Sequence, residues 1–192
     1  RGWHRNDVDC RFGKVGHVGG EREVPRLCQF FRLRFQRRVL SAFQLCDARG
    51  IDVVANHLGQ LGIPEPDINL QVGSGSQATQ TGAIMKAYEE VLEDQKPDLC
   101  LVVGDVNSTL ACAVTAKKAC VRVAHVEAGI RSNDWNMPEE VNRVVTDALA
   151  DYFFTTSSFA NKNLLSAGVS NDRIFFVGNT NIATRSTLEA QI

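Results

Sequence analysis

Leu99-Cys-Leu-Val-Val103 is a short unbroken apolar run, Val121-Arg-Val-Ala-His-Val126 is a largely apolar one, and Ser108–Lys118 between them has the composition of a helix. Unbroken apolar runs of this length are expected where a strand is covered on both faces. Strand, helix and strand within about 30 residues make a βαβ unit, with parallel strands and a right-handed crossover.

The same alternation extends outward. Gln77–Asp94 predicts a helix with Ile84, Met85, Tyr88, Val91 and Leu92 on one face, ended by Pro97. Upstream, Ile68–Val72 is a short strand candidate, and Ile63-Pro-Glu-Pro66 is a connector. Downstream, Pro138 opens a helix running to about Ala150, because proline suits the first helical position. Tyr152–Thr156 is a strand, Ser158 caps a helix stopping at Gly168, and Ile174–Val177 is a last strand. The expected fold is α/β: a Rossmann-like open parallel sheet with helices on both faces.

Polar residues interrupt this apolar text where such a sheet holds its ligand, beyond the carboxyl ends of the strands. Asp105 follows the first strand, and His125 and Glu127 close the second. Glu139 sits in the first turn of the next helix, with Arg143 four residues on along the same face. Three carboxylates therefore converge on one crevice, with Arg143 and Arg131 to hold or tune them. Each residue also has a purely structural reading. Asp105 can cap the following helix, and His125 can be a satisfied strand-end histidine. Glu139 and Glu140 suit the helix dipole, and Glu139 with Arg143 can be a plain ion pair. Their coincidence at the strand ends favours a functional site.

Other classes are less well supported. Gly73-Ser-Gly-Ser-Gln-Ala78 fits a loose dinucleotide pattern but reads better as a connector. Arg32, Arg34, Arg37 and Arg38 interleave with Phe31 and Phe35, yet a solvated face is the commoner reason for so short a basic run. The expectation is no nucleic-acid partner. No apolar run approaches the roughly 20 residues that span a bilayer, so no membrane partner is expected either. The six cysteines form no Cys-x-x-Cys pair, which argues against zinc and for free thiols in a reducing cytoplasm.

The stretch from about His57 to Ile182 resembles the non-hydrolysing UDP-N-acetylglucosamine 2-epimerases. The resemblance rests on Gly104-Asp105 with its Ser/Thr-rich continuation, His125-Val-Glu-Ala-Gly129 with Arg131, Pro138-Glu-Glu140 with Asn142-Arg143, and Gly178-Asn-Thr180. It implies interconversion of UDP-N-acetylglucosamine and UDP-N-acetylmannosamine, without metal or other cofactor. It implies two Rossmann-like domains facing across a cleft, of the nucleotide-sugar glycosyltransferase type (GT-B), in a cytoplasmic homodimer serving polysaccharide biosynthesis. By resemblance Asp105, Glu127 and Glu139 carry the proton transfers, with neither acid nor base assigned among them. His125, Arg131, Arg143 and Asn179 are the substrate-binding candidates.

The resemblance divides the chain. Residues 57–183 are expected to form the first domain and 184–192 to begin the connection to a second, UDP-binding domain, itself expected to be absent from this chain. Residues 1–56 carry 11 basic and 6 acidic side chains and lack the Gly-Thr-Arg-Pro-Glu opening of the family. The expectation is that they are not native family sequence, and that this chain alone has little activity. Two alternatives stay open: a glycosyltransferase half-domain of the same fold, and a non-catalytic fragment.

Overall fold

The computed structural model describes residues 68–178 and the backbone of Val39–Ser41. Among these residues the elements run β1 (Val39–Ser41), α1 (Gln77–Gln95), β2 (Leu99–Val103), α2 (Asn107–Lys118), β3 (Arg122–Val126), α3 (Pro138–Leu149), β4 (Tyr152–Thr155), α4 (Ser158–Ser166), a 3-10 turn (Asn171–Arg173) and β5 (Ile174–Phe176). The strands form one parallel sheet in chain order, β1-β2-β3-β4-β5. The expected open parallel α/β sheet is the fold observed. None of the described helices is long and apolar enough to cross a membrane.

Alternation along the strands creates two apolar faces. One face contributes Cys100, Val102, Val123 and Phe153, which pack with Ile84, Tyr88 and Leu92 of α1, Ala111, Cys112, Ala113 and Ala116 of α2, and Leu164 of α4. The other holds Leu99, Ala124, Val126 and Phe154, flanked by Leu101, Val103, Tyr152 and Phe175. The helices packed on the described strands lie against the first of these faces, as successive right-handed crossovers in a sheet of consecutive order require. Small residues along α2 let it lie close to the strands. Deep in this layer the Tyr88 hydroxyl donates to Cys100 Sγ at 3.1 Å. Burial pushes the Cys100 thiol up to about 11, and the tyrosine hydrogen bond only partly opposes it.

Several element ends shift by one residue, and two readings differ in kind. Ile68–Val72 is irregular, not a strand. Gln71 adopts φ 53°, and its amide donates to Asn69 Oδ1 at 2.8 Å, so a local turn replaces the ladder bond that a strand needs. The α4 cap is Ser157, whose hydroxyl accepts from the Ala160 amide, and Ser158 is the first helical residue. The basic run of Arg32, Arg34, Arg37 and Arg38 with Phe31 and Phe35 lies outside the described residues.

The turn after β3 is pressed onto α4. Gly129 has φ 79°, its carbonyl accepts from Asn163 Nδ2 at 2.9 Å, and an added Cβ would stand 2.5 Å from the Ala160 carbonyl oxygen. Gly129→Ala therefore combines left-handed strain of about 1–2 kcal/mol with overpacking of about 1–3 kcal/mol. Urea unfolding should show a loss of about 3 kcal/mol, well beyond an ordinary surface change.

Candidate functional site

The register of β2 and β3 brings the first two carboxylates to the same edge. Val103 pairs with Val126, and the Gly104 amide extends the ladder by donating to Val126 O at 3.1 Å. Asp105 and Glu127 thus leave adjoining strands at one level. Both turns are left-handed, with φ 71° at Gly104 and 68° at Glu127. A glutamate in that conformation is strained and must be held by its surroundings.

The holding element is α3. The residues it buries are Glu140, Asn142, Thr146 and Asp147, all polar, and Arg143 is half-buried beside them. Asn142 Nδ2 donates to the Asp105 carbonyl at 2.8 Å. Arg143 donates to Asp105 Oδ2 from Nε at 2.9 Å and from a terminal nitrogen at 2.6 Å. Asp105 Oδ1 accepts no hydrogen bond among the described residues. The other terminal nitrogen of Arg143 donates to Glu140 Oε2 at 2.9 Å. Burial works against this guanidinium's charge, but Glu140 and Asp105 outweigh it and raise its pKa.

Glu140 is a buried anchor. Its carboxylate accepts from the Ser132 amide and hydroxyl and from the Asn133 amide, at 2.9 to 3.1 Å. Burial alone would raise its pKa. The two amides, the arginine and the hydroxyl prevail and lower it to about 2. Glu139, by contrast, faces outward and makes no hydrogen bond or ion pair among the described residues. The expected Glu139–Arg143 pairing is therefore replaced by Glu140–Arg143, one residue round the helix, and Arg143 restrains Asp105. Asp105 does not cap α2 either: the cap residue is Val106, with no side-chain hydrogen bond.

His125 and Arg131, expected to touch substrate, are turned to other tasks. His125 is 1% exposed, with Nδ1 at 2.7 Å from Asp147 Oδ1 and Nε2 at 2.9 Å from the Gly104 carbonyl. Both ring nitrogens are occupied inside the protein, which is the satisfied strand-end histidine. Arg131 pairs with Asp147 Oδ2 at 2.7 Å and with its neighbour's carbonyl, Ile130 O. Asn179 lies outside the described residues. Asp147 was not singled out from sequence, although Glu140, Arg143 and Asp147 form one stripe along α3. The site thus presents half-buried Asp105 and Glu127 at adjoining strand ends and exposed Glu139 in the first turn of α3, with Arg143 and Glu140 bracing Asp105.

The UDP-N-acetylglucosamine 2-epimerase family model matches residues 32–192. The chain belongs to this family. Its match begins before β1 and includes part of the basic opening segment. The UDP-N-acetylglucosamine 2-epimerase of Methanocaldococcus jannaschii is 49% identical over 121 residues, covering 63% of this chain and 33% of that protein. A UDP-2,3-diacetamido-2,3-dideoxy-D-glucuronate 2-epimerase of Pseudomonas aeruginosa is 45% identical over 109 residues, covering 57% and 31%. Among solved structures, the M. jannaschii epimerase in complex with UDP-GlcNAc and UDP is 46% identical with TM-score 0.65, covering 69% of this chain and 36% of that one. The Neisseria meningitidis epimerase bound to UDP-GlcNAc is 31% identical with TM-score 0.70, covering 77% and 41%. The chain spans about a third of the length of the curated relatives it matches.

Glu140 supplies a test by pH. Its pKa is depressed from 4.5 to about 2, so its stabilisation is present above pH 4.5 and is lost as the pH falls toward 2. Wild type should lose unfolding free energy across that window. Glu140→Gln should start less stable at neutral pH and converge with wild type in acid, as followed by denaturant titrations at stepped pH.

Proposed function

We propose that this chain forms the proton-transfer half of a UDP-N-acetylglucosamine 2-epimerase. The observation that carries the reading is Asp105 beside Glu127 at adjoining strand ends, with one Asp105 oxygen gripped by Arg143 and the other accepting no hydrogen bond among the described residues. The hydrogen at sugar C2 has no adjacent ketone to acidify it. A carboxylate removes it as the C1–oxygen bond to UDP breaks, and the electron pair becomes the C1–C2 double bond of a 2-acetamidoglucal. UDP then adds back at C1 while C2 takes a proton on its other face. Two faces need two carboxyl groups in unlike settings. Asp105, under an arginine, and Glu127, on a strained turn, are in such settings, and Glu139 at the rim is a third candidate.

The relative named for a diacetamido glucuronate raises a second substrate of the same chemical class. Among the described residues, Arg131 and Arg143 are both engaged by protein carboxylates. That favours the uncharged N-acetylglucosamine over a uronate. The reading carries with it a cytoplasmic setting, a homodimer as the working form and service to polysaccharide biosynthesis.

The test is a graft. Residues 68–178 replace the matching segment of the M. jannaschii relative, and the chimera is given UDP-N-acetylglucosamine in D2O. Deuterium should enter at C2, with UDP-N-acetylmannosamine formed. In that chimera Asp105→Asn and Glu127→Gln should each lower kcat by about 10²–10⁴-fold, the range for loss of a general acid or base. A folded chimera that exchanges no deuterium sinks the proposal.

A further inference from the structure

Asp147 has no place in the chemistry just described, yet both oxygens of this buried carboxylate are engaged behind the site. It is 5% exposed in the second half of α3. Oδ1 meets His125 Nδ1 at 2.7 Å, while Oδ2 accepts from the Gly129 amide at 3.0 Å and forms an ion pair with Arg131 at 2.7 Å. Through its other nitrogen His125 reaches the Gly104 carbonyl at 2.9 Å.

We propose that Asp147 is a positioning residue that sets both turns on which Asp105 and Glu127 stand. This rests on the epimerase reading for its purpose, and on geometry for its content. Gly104 immediately precedes Asp105, and Gly129 lies two residues after Glu127. One oxygen of Asp147 serves the first turn by way of His125, and the other serves the second directly. The two turns contain left-handed residues on both sides of the carboxylates, at Gly104, Glu127 and Gly129. Such backbone persists only when its surroundings over-determine it.

Stability alone does not account for the choice of residue. A buried ion pair is often matched or bettered by apolar side chains of similar volume. What apolar packing does not supply is direction: a different turn tied to each oxygen at hydrogen-bond distance. Arg131 provides the countercharge that lets the carboxylate remain in the interior. The labour on α3 is divided. Arg143, oriented by Glu140, holds the Asp105 side chain, and Asp147 holds backbone under both acids.

The test uses the full 192-residue chain, isotopically labelled for NMR, without substrate. Asp147→Ala removes every tie, and Asp147→Asn keeps the shape and one acceptor oxygen. In the alanine variant Gly129 amide exchange should quicken about tenfold, as expected for loss of one charge-assisted hydrogen bond. Backbone signals of Gly104 and Glu127 and the side-chain carboxyl signals of Asp105 and Glu127 should move, while Ile84, Ala113 and Phe153 keep theirs. The asparagine variant should restore much of the Gly129 protection but leave the Asp105 carboxyl signal displaced. If the alanine variant does not fold, the asparagine variant decides. The proposal is overturned if the folded asparagine variant is merely less stable, with Gly104, Asp105 and Glu127 signals superimposable on wild type. Because no turnover is measured, this result stands apart from the chimera's activity.

Discussion

α3 docks on its neighbours through polar side chains. A helix normally buries an apolar stripe, whose contacts tolerate sliding by a fraction of an ångström. Here the buried residues are Glu140, Asn142, Thr146 and Asp147, and burying such groups is costly unless each finds a partner. Glu140, Asn142 and Asp147 find them in the Ser132–Asn133 loop, in the carbonyl of Asp105 and in the turns of β2 and β3. Hydrogen bonds have narrow distance and angle requirements, so satisfying several at once leaves α3 one register. The rest of the rim follows from that register.

The dependence is mutual. The turns carry left-handed backbone that would relax without α3, and α3 would expose or orphan its carboxylates without the turns. The two ends of the helix serve different parts of the site. Its first turns steer a side chain, through Arg143 to Asp105, and its last turns steer backbone, through Asp147 to Gly129 and by way of His125 to Gly104. Both arginines of the motif are thereby internal fittings. Among the described residues Asp105 Oδ1 accepts no hydrogen bond.

Apolar pattern made most of the fold legible: β2, α2 and β3 follow from one unbroken apolar run, a largely apolar one and the helix between them, and α1 ends beside Pro97 as read. The misreadings share a cause in side chains that bond to nearby backbone. Asn69 takes the amide of Gln71 and turns a strand-like pattern into a bend. At the site, sequence placed Asp105 and Glu127 correctly at neighbouring strand ends. It did not distinguish Glu139 from Glu140, because periodicity identifies the inward face of a helix by its apolar residues, and this helix turns polar residues inward. The usable signal was the Glu140, Arg143, Asp147 stripe, which makes sense only as a buried face. His125 reads as a ligand in sequence and is a strut in space, since nothing in its neighbours' identity reveals that Asp147 and the Gly104 carbonyl claim both nitrogens.

Gly129 gives the turn under Glu127 a mechanical character. With no side chain between them, the backbone of this turn rests on the backbone of α4, and Asn163 grips its carbonyl from the same helix. Such a joint has no slack. Any side chain at position 129 would push the turn off α4, because even a methyl group meets the Ala160 carbonyl oxygen and Leu164.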